Sequence, residues 1–190
     1  GSILSHNNVT GNGDGILLDY CPGSTLSGNN VSINEYGILL CNSSNNNLSG
    51  NYVTANNGAG IYLQSSSDIN TLAGNNVTAN SGGGLLLLGS SGNVLSDNVV
   101  SDTVGGSGVS LVSSSGNKIF HNDFSNAQQA YTYDSTNIWD NGYPAGGNYW
   151  SDYSTRYPSA TEIDSSGIWG MPYVIDANNT DDYPLVNPNH

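Results

Sequence analysis

The chain has 190 residues, only 9% of them charged, and two Lys+Arg against fifteen Asp+Glu give it a formal charge of −13. Nucleic acid and anionic membrane surfaces need clustered positive charge, and with Lys118 and Arg156 as the only cations neither is expected as a partner. No run of about 20 apolar residues is present, so no membrane insertion is expected.

Residues 1–12 form an incomplete first turn. The pattern opens in mid-repeat at Leu4 with nothing cap-like before it, which fits a mature product or an excised fragment. From there a Leu-x-x-Asn-x-Val unit recurs, starting at Leu4, Leu26, Leu48, Leu72, Leu95 and Ile119, in steps of 22, 22, 24, 23 and 24 residues. A Gly-Ile unit recurs in phase at Gly15-Ile16, Gly37-Ile38, Gly60-Ile61, Gly84-Leu85 and Gly108-Val109. A fixed period in this range is the signature of a solenoid. Spacings such as Ile61-x-Leu63 are strand alternation, so each turn offers short strands with one apolar face that it cannot bury alone. Stacking the turns about 4.8 Å apart closes that core. The fold class is therefore all-β: a right-handed parallel β-helix of about five to six turns, with an irregular aromatic-rich C-terminal cap.

Asn fills the corners. One column is Asn7, Asn29, Asn51, Asn75, Asn98 and Asn122, a second Asn46, Asn70, Asn93 and Asn117, a third Asn12, Asn34, Asn56 and Asn80. Asn tolerates turn conformations, and stacked amides can bond the amides above and below. The first column lies two positions before the buried Val, so it is expected to point inward as a structural ladder; solvent-facing turn residues are the plainer alternative. Cys21 and Cys41 lie on adjacent turns, displaced by two positions, a separation at the edge of disulfide reach. A disulfide, two free thiols and a link to another chain all stay open. Acceptor sequons for N-glycosylation occur at Asn8, Asn30, Asn42, Asn47, Asn76 and Asn178, though Asn- and Ser-rich sequences generate them by chance.

The composition changes after the coils. Residues 1–130 are expected to form the β-helix and 131–190 a cap packed on its end, since eleven of the seventeen aromatics and every proline but Pro22 fall in 131–190. Within it, Gly146-Gly147-Asn148-Tyr149-Trp150-Ser151-Asp152-Tyr153, Pro172-Tyr173-Val174-Ile175-Asp176 and Asn178-Asn179-Thr180-Asp181-Asp182-Tyr183-Pro184-Leu185 resemble the C-terminal segment of NosD-like β-helix repeat proteins, abundant on the surface of methanogenic archaea. The resemblance covers nearly the whole chain and implies an exported, surface-located protein, usually of unassigned activity. Relatives often carry an Asp-rich stretch that looks like a calcium loop; here only Glu162 and Asp164 remain of it, few oxygens for a hard cation. The family label also suggests copper, but the candidate ligands His6, His121, His190, Met171, Cys21 and Cys41 are scattered along the repeat. No cofactor is expected.

Catalysis by a β-helix would need paired carboxylates, or a base with a cation and a charge stabiliser. The one adjacent couple in the coils is Asp97 with His121, for which a surface ion pair is the plainer account. No enzyme is expected. The sequence points to an extracellular cell-surface module, structural or adhesive, that associates with itself or with other surface proteins in a layer, sheath or filament. The alternative is a carbohydrate-active protein that binds or cleaves neutral glycans through exposed Tyr20, Tyr36, Tyr52 and Tyr62, although these show no common repeat position.

Overall fold

The structure, a computed structural model, describes residues 1–189. The chain winds into a parallel β-helix of about six coils with three sheets along its length. The first sheet holds Ile3–Ser5, Thr25–Ser27, Asn47–Ser49, Thr71–Ala73, Val94–Ser96 and Lys118–Phe120. The second holds Asn8–Thr10, Asn30–Ser32, Tyr52–Thr54, Asn76–Thr78, Val99–Ser101, Asp123–Ser125 and Tyr149–Trp150. The third holds Asp14–Asp19, Tyr36–Cys41, Ile61–Gln64, Leu85–Leu88, Val109–Val112 and Ala130–Tyr133. Register follows the repeat: Leu4 lies opposite Leu26, Val9 opposite Val31, and Ile38 opposite Ile61. The four apolar columns fill the bore, and from Leu26 to Phe124 they are almost wholly buried. On the open side of the first coil, Leu4, Val9 and Ile16 line a hollow of about 610 Å³.

The Gly-Ile step has a steric cause. A Cβ on Gly60 would stand 2.4 Å from Val77 Cγ1 and 2.7 Å from Asn80 Nδ2, so the backbone comes too close to the neighbouring coil for any side chain.

Most corners follow one rule. A residue with positive φ turns the chain, and the next residue points inward as a rung. Gly50 (φ 59°) precedes Asn51, Ala79 (φ 55°) precedes Asn80, and Ile69 (φ 57°) precedes Asn70. In the first Asn column each Oδ1 accepts from both the backbone N–H and the side-chain Nδ2 of the rung before it. Asn75 Oδ1 takes Asn51 N at 3.0 Å and Nδ2 at 2.9 Å, and Asn75 Nδ2 donates onward to Asn98 Oδ1 at 2.9 Å and to Leu48 O at 2.9 Å. The other two columns repeat the scheme through Asn46–Asn70 and Asn34–Asn56. The corner after the third sheet carries a serine ladder that the repeat analysis did not single out: Ser43, Ser67, Ser90, Ser114 and Ser135, each Oγ accepting the N–H of the residue one coil earlier. Cys21 occupies the first place in that column, opposite Ser43, whereas Cys41 lies opposite Asp19. The two cysteines thus lie diagonally across neighbouring coils and are not bonded to each other in this structure.

The sheets run on past residue 130. Ala130–Tyr133 joins the third sheet, Ile138 bridges Lys118 in the first, and Tyr149–Trp150 pairs with Asp123 and Phe124 in the second. Trp139 and Trp150 thereby continue the two apolar columns and plug the bore. Trp150 stacks on Phe124 at 4.8 Å and on Tyr173 at 4.3 Å, and the Arg156 guanidinium covers Tyr173 at 4.6 Å. The short helix Tyr153–Arg156 and the hairpin of Tyr173–Asp176 with Asn179–Asp181 lie over this plug. No helix among the described residues is long and apolar enough to cross a membrane.

Candidate functional site

The hairpin supplies the last rungs of two ladders. Asn122 passes its bonds to Asn148, and Asn148 N donates to Asp181 Oδ2 at 2.7 Å. Asn117 passes its bonds to Asn137, and Asn137 N donates to Asn179 Oδ1 at 3.0 Å, which also accepts Trp139 Nε1 at 3.1 Å. Every rung of the first column donates one bond toward this end of the rod, so the amide dipoles add as peptide dipoles do in a helix, and the positive end meets a carboxylate. Asp181 is fully buried and faces only donors: Asn148 N and Nδ2, Trp150 Nε1 at 2.9 Å and Tyr183 N at 3.1 Å. An acceptor-only group suits a terminus where no further coil needs a donor. Burial pushes its carboxyl up to about 7, against the pull of these bonds. A Cβ on Gly147 would stand 1.8 Å from Asp181 Oδ1, so glycine is required beneath it.

Asp97 and His121 do come together. Both hold a positive-φ corner, at 56° and 57°, in the column shared with His6, Gly28, Gly50 and Gly74. Their side chains project outward with His121 Nδ1 3.8 Å from Asp97 Oδ1, while His121 Nε2 lies 2.8 Å from Ala145 O. Asn189 closes the same corner, its N–H on Asp123 Oδ1 at 2.8 Å and its amide on the His121 carbonyl at 3.1 Å. The Lys118 and Arg156 side chains bond within the C-terminal segment. Lys118 Nζ donates to Asn141 Oδ1 at 2.7 Å, and Arg156 donates to the Val174 carbonyl at 2.6 Å.

The metal candidates do not gather. Asp164 accepts from Tyr143 Oη at 2.6 Å and from Ser166 N at 2.7 Å, bonds that hold its carboxyl below the usual range. Glu162 lies in a backbone bridge with Trp169. His6 is on the first coil and His121 on the sixth, about 24 Å away at about 4.8 Å per coil. Met171 belongs to the cap, and His190 lies outside the described residues. Among the described residues no three His, Cys, Asp or Glu side chains are grouped to hold an ion.

Of the sequon asparagines, Asn8, Asn30, Asn47 and Asn178 are exposed, whereas Asn42 and Asn76 are partly buried. Asn42 Nδ2 is turned onto Cys41 Sγ at 3.3 Å. Of the tyrosines, Tyr20 and Tyr52 are exposed on different faces, but Tyr36 and Tyr62 meet, their ring centroids 5.8 Å apart. Repeat coordinates hid this contact, because Tyr36 reaches over the bare backbone of Gly58.

Residues 1–155 match the family described as NosD, periplasmic copper-binding protein. The chain belongs to the NosD family. No curated protein matches it. Among solved structures, the periplasmic alginate epimerase AlgG is similar at 23% identity and a TM-score of 0.52, over 72% of this chain and 39% of the epimerase. A mutant of that epimerase gives 24%, 0.54, 72% and 39%. The NosD-family chain thus spans about two-fifths of the epimerase's length, and the likeness at this identity shows the β-helix fold alone. The copper in the family's description finds no matching donor set among the described residues: His6 and Cys21 lie at different corners of the first coil, Cys41 on the second, His121 on the sixth and Met171 in the cap.

Proposed function

We propose that this NosD-family chain is a non-catalytic structural or adhesive module of the cell surface, exposed outside the cytoplasm, where it meets further copies of itself or other envelope proteins. The periplasmic description of the family and of the similar epimerase supports that location, as do exposed sequons at Asn8, Asn30, Asn47 and Asn178. The observation that carries the non-catalytic part is where the polar groups go. The inward Asn and Ser side chains are spent on ladders, and both cations are bound to carbonyl oxygens. An elimination or epimerisation at a uronate needs a positive group facing the carboxylate, and the Lys118 and Arg156 side chains are held on Asn141 and Val174.

The test is incubation with alginate and with neutral glycans, following unsaturated-uronate absorbance, reducing ends and uronate composition. No product above the blank is expected, and the Asp97→Asn, His121→Gln double variant is expected to match the wild type. Product that this double variant abolishes would make the pair an active site and overturn the proposal.

A further inference from the structure

The outward face of the third sheet differs from the other two. Outward positions of the second sheet are mainly Asn, Ser and Thr. In the third sheet one outward column reads Leu17, Leu39, Tyr62, Leu86, Ser110 and Tyr131, and the neighbouring column includes Gln64, Leu88, Val112 and Tyr133. Leu17 is 49% exposed, Leu88 40%, Tyr131 44% and Tyr133 63%, whereas Leu39 is buried and Tyr62, Leu86 and Val112 are half-buried. The bore is already filled by the inward columns, so the coil does not need these side chains for its core. Apolar side chains kept in contact with water along one sheet mark an interaction surface.

Size and charge select the occupant. Six strands about 4.8 Å apart, each with two outward positions about 7 Å apart, give a strip about 24 Å long and about 12 Å wide, or about 300 Å². Two copies joined face to face would bury about 600 Å² in total, well under the roughly 1,200 Å² of a stable protein interface. The strip fits one extended chain. It carries no Lys or Arg, and Asp19 at one end is the only carboxylate in the two columns, so a polyanion finds no counter-charge. Apolar and hydrogen-bonding groups side by side suit pyranose rings, whose C–H faces would pack on Leu and Tyr and whose hydroxyls would bond Gln64, Ser110 and the phenol oxygens.

We infer that the outward face of the third sheet binds an uncharged, extended polysaccharide of equatorially linked pyranose units. The assignment gives the adhesive role proposed above its ligand class and rests on that role. The experiment is affinity electrophoresis of the full chain in gels containing hydroxyethylcellulose, galactomannan or alginate, with light scattering in parallel. Wild-type protein is expected to be retarded by at least one of the two neutral polymers and not by alginate. The Leu88→Ser, Tyr131→Ser double variant is expected to bind at least 10-fold more weakly while keeping the wild-type circular dichroism; Leu88→Asn alone replaces it if the double variant fails to fold. Absence of retardation by both neutral polymers, equal retardation by alginate, or unchanged affinity in the folded variant overturns the assignment. A dimer that the same substitutions dissociate would give the face to a second copy and overturn it too. Reducing ends released from a bound polymer would sink the non-catalytic role and leave the binding face standing, whereas missing retardation with no turnover does the reverse.

Discussion

Leu63→Asp is expected to yield no folded protein. Leu63 is fully buried in the middle of the bore, in register with Leu40 and Leu87. The substitution removes the packing of a core leucine, a loss of about 2–5 kcal/mol, and adds a buried charge with no partner, which costs several kcal/mol more. A domain of this size has a stability of about 5–15 kcal/mol, so the sum meets or exceeds it. The damage spreads, because each coil is stabilised only by its neighbours. Gln64→Asp is the control. Gln64 points outward on the same strand, and a surface change of this kind is expected to stay within about 0.5 kcal/mol. Circular dichroism melts of both variants decide it. A soluble Leu63→Asp protein melting with the wild type would refute the inward phase of the column.

The second large effect is on pH dependence, through Asp181. Its carboxyl rises from 3.8 to about 7 in the folded chain, chiefly because burial disfavours the anion. A raised acid binds its proton more tightly folded than unfolded. Its stabilising contribution is therefore complete below pH 4 and is lost as pH climbs through about 7. A displacement of about three units corresponds to about 4 kcal/mol across that window. In Asp181→Asn the titrating group is gone, so this slope is expected to vanish. The variant also turns an amide N–H₂ toward N–H donors, at a cost of about 1–3 kcal/mol. Urea denaturation of both proteins from pH 4 to pH 8 gives the difference directly, and carboxylates elsewhere cancel in the comparison. Parallel pH curves for wild type and Asp181→Asn would show that the last rung does not titrate as its burial demands.

Much of this architecture was legible in the residues. The 22- to 24-residue step gave the coil, its apolar columns and its three Asn columns, because inward side chains recur in strict phase. The serine ladder escaped because Ser is also the commonest surface filler of these coils, so Ser43, Ser67 and Ser90 do not stand out by type. The plug escaped for another reason. Trp139 and Trp150 continue the Leu and Val columns, but the turns that carry them are irregular, and Trp150 follows Phe124 by 26 residues. Asn179 and Asp181 lie more than 30 residues beyond the rungs they complete, a distance no local period spans. At the candidate site, the nearness of Asp97 and His121 followed from the repeat. The partners of Lys118 and Arg156 did not, since they come from the irregular segment.

The inward asparagines are structural rungs, committed to one another and withdrawn from chemistry. This role is tested most directly by hydrogen exchange of their side-chain amides in ¹⁵N-labelled protein. Asn75 and Asn98 each donate from Nδ2 both to a backbone carbonyl and to the next rung, at 2.8–2.9 Å. Their protons are expected to exchange only on opening of the coil, roughly 10³-fold or more slower than those of exposed Asn57. Exchange of Asn75 and Asn98 as fast as Asn57 would contradict that role.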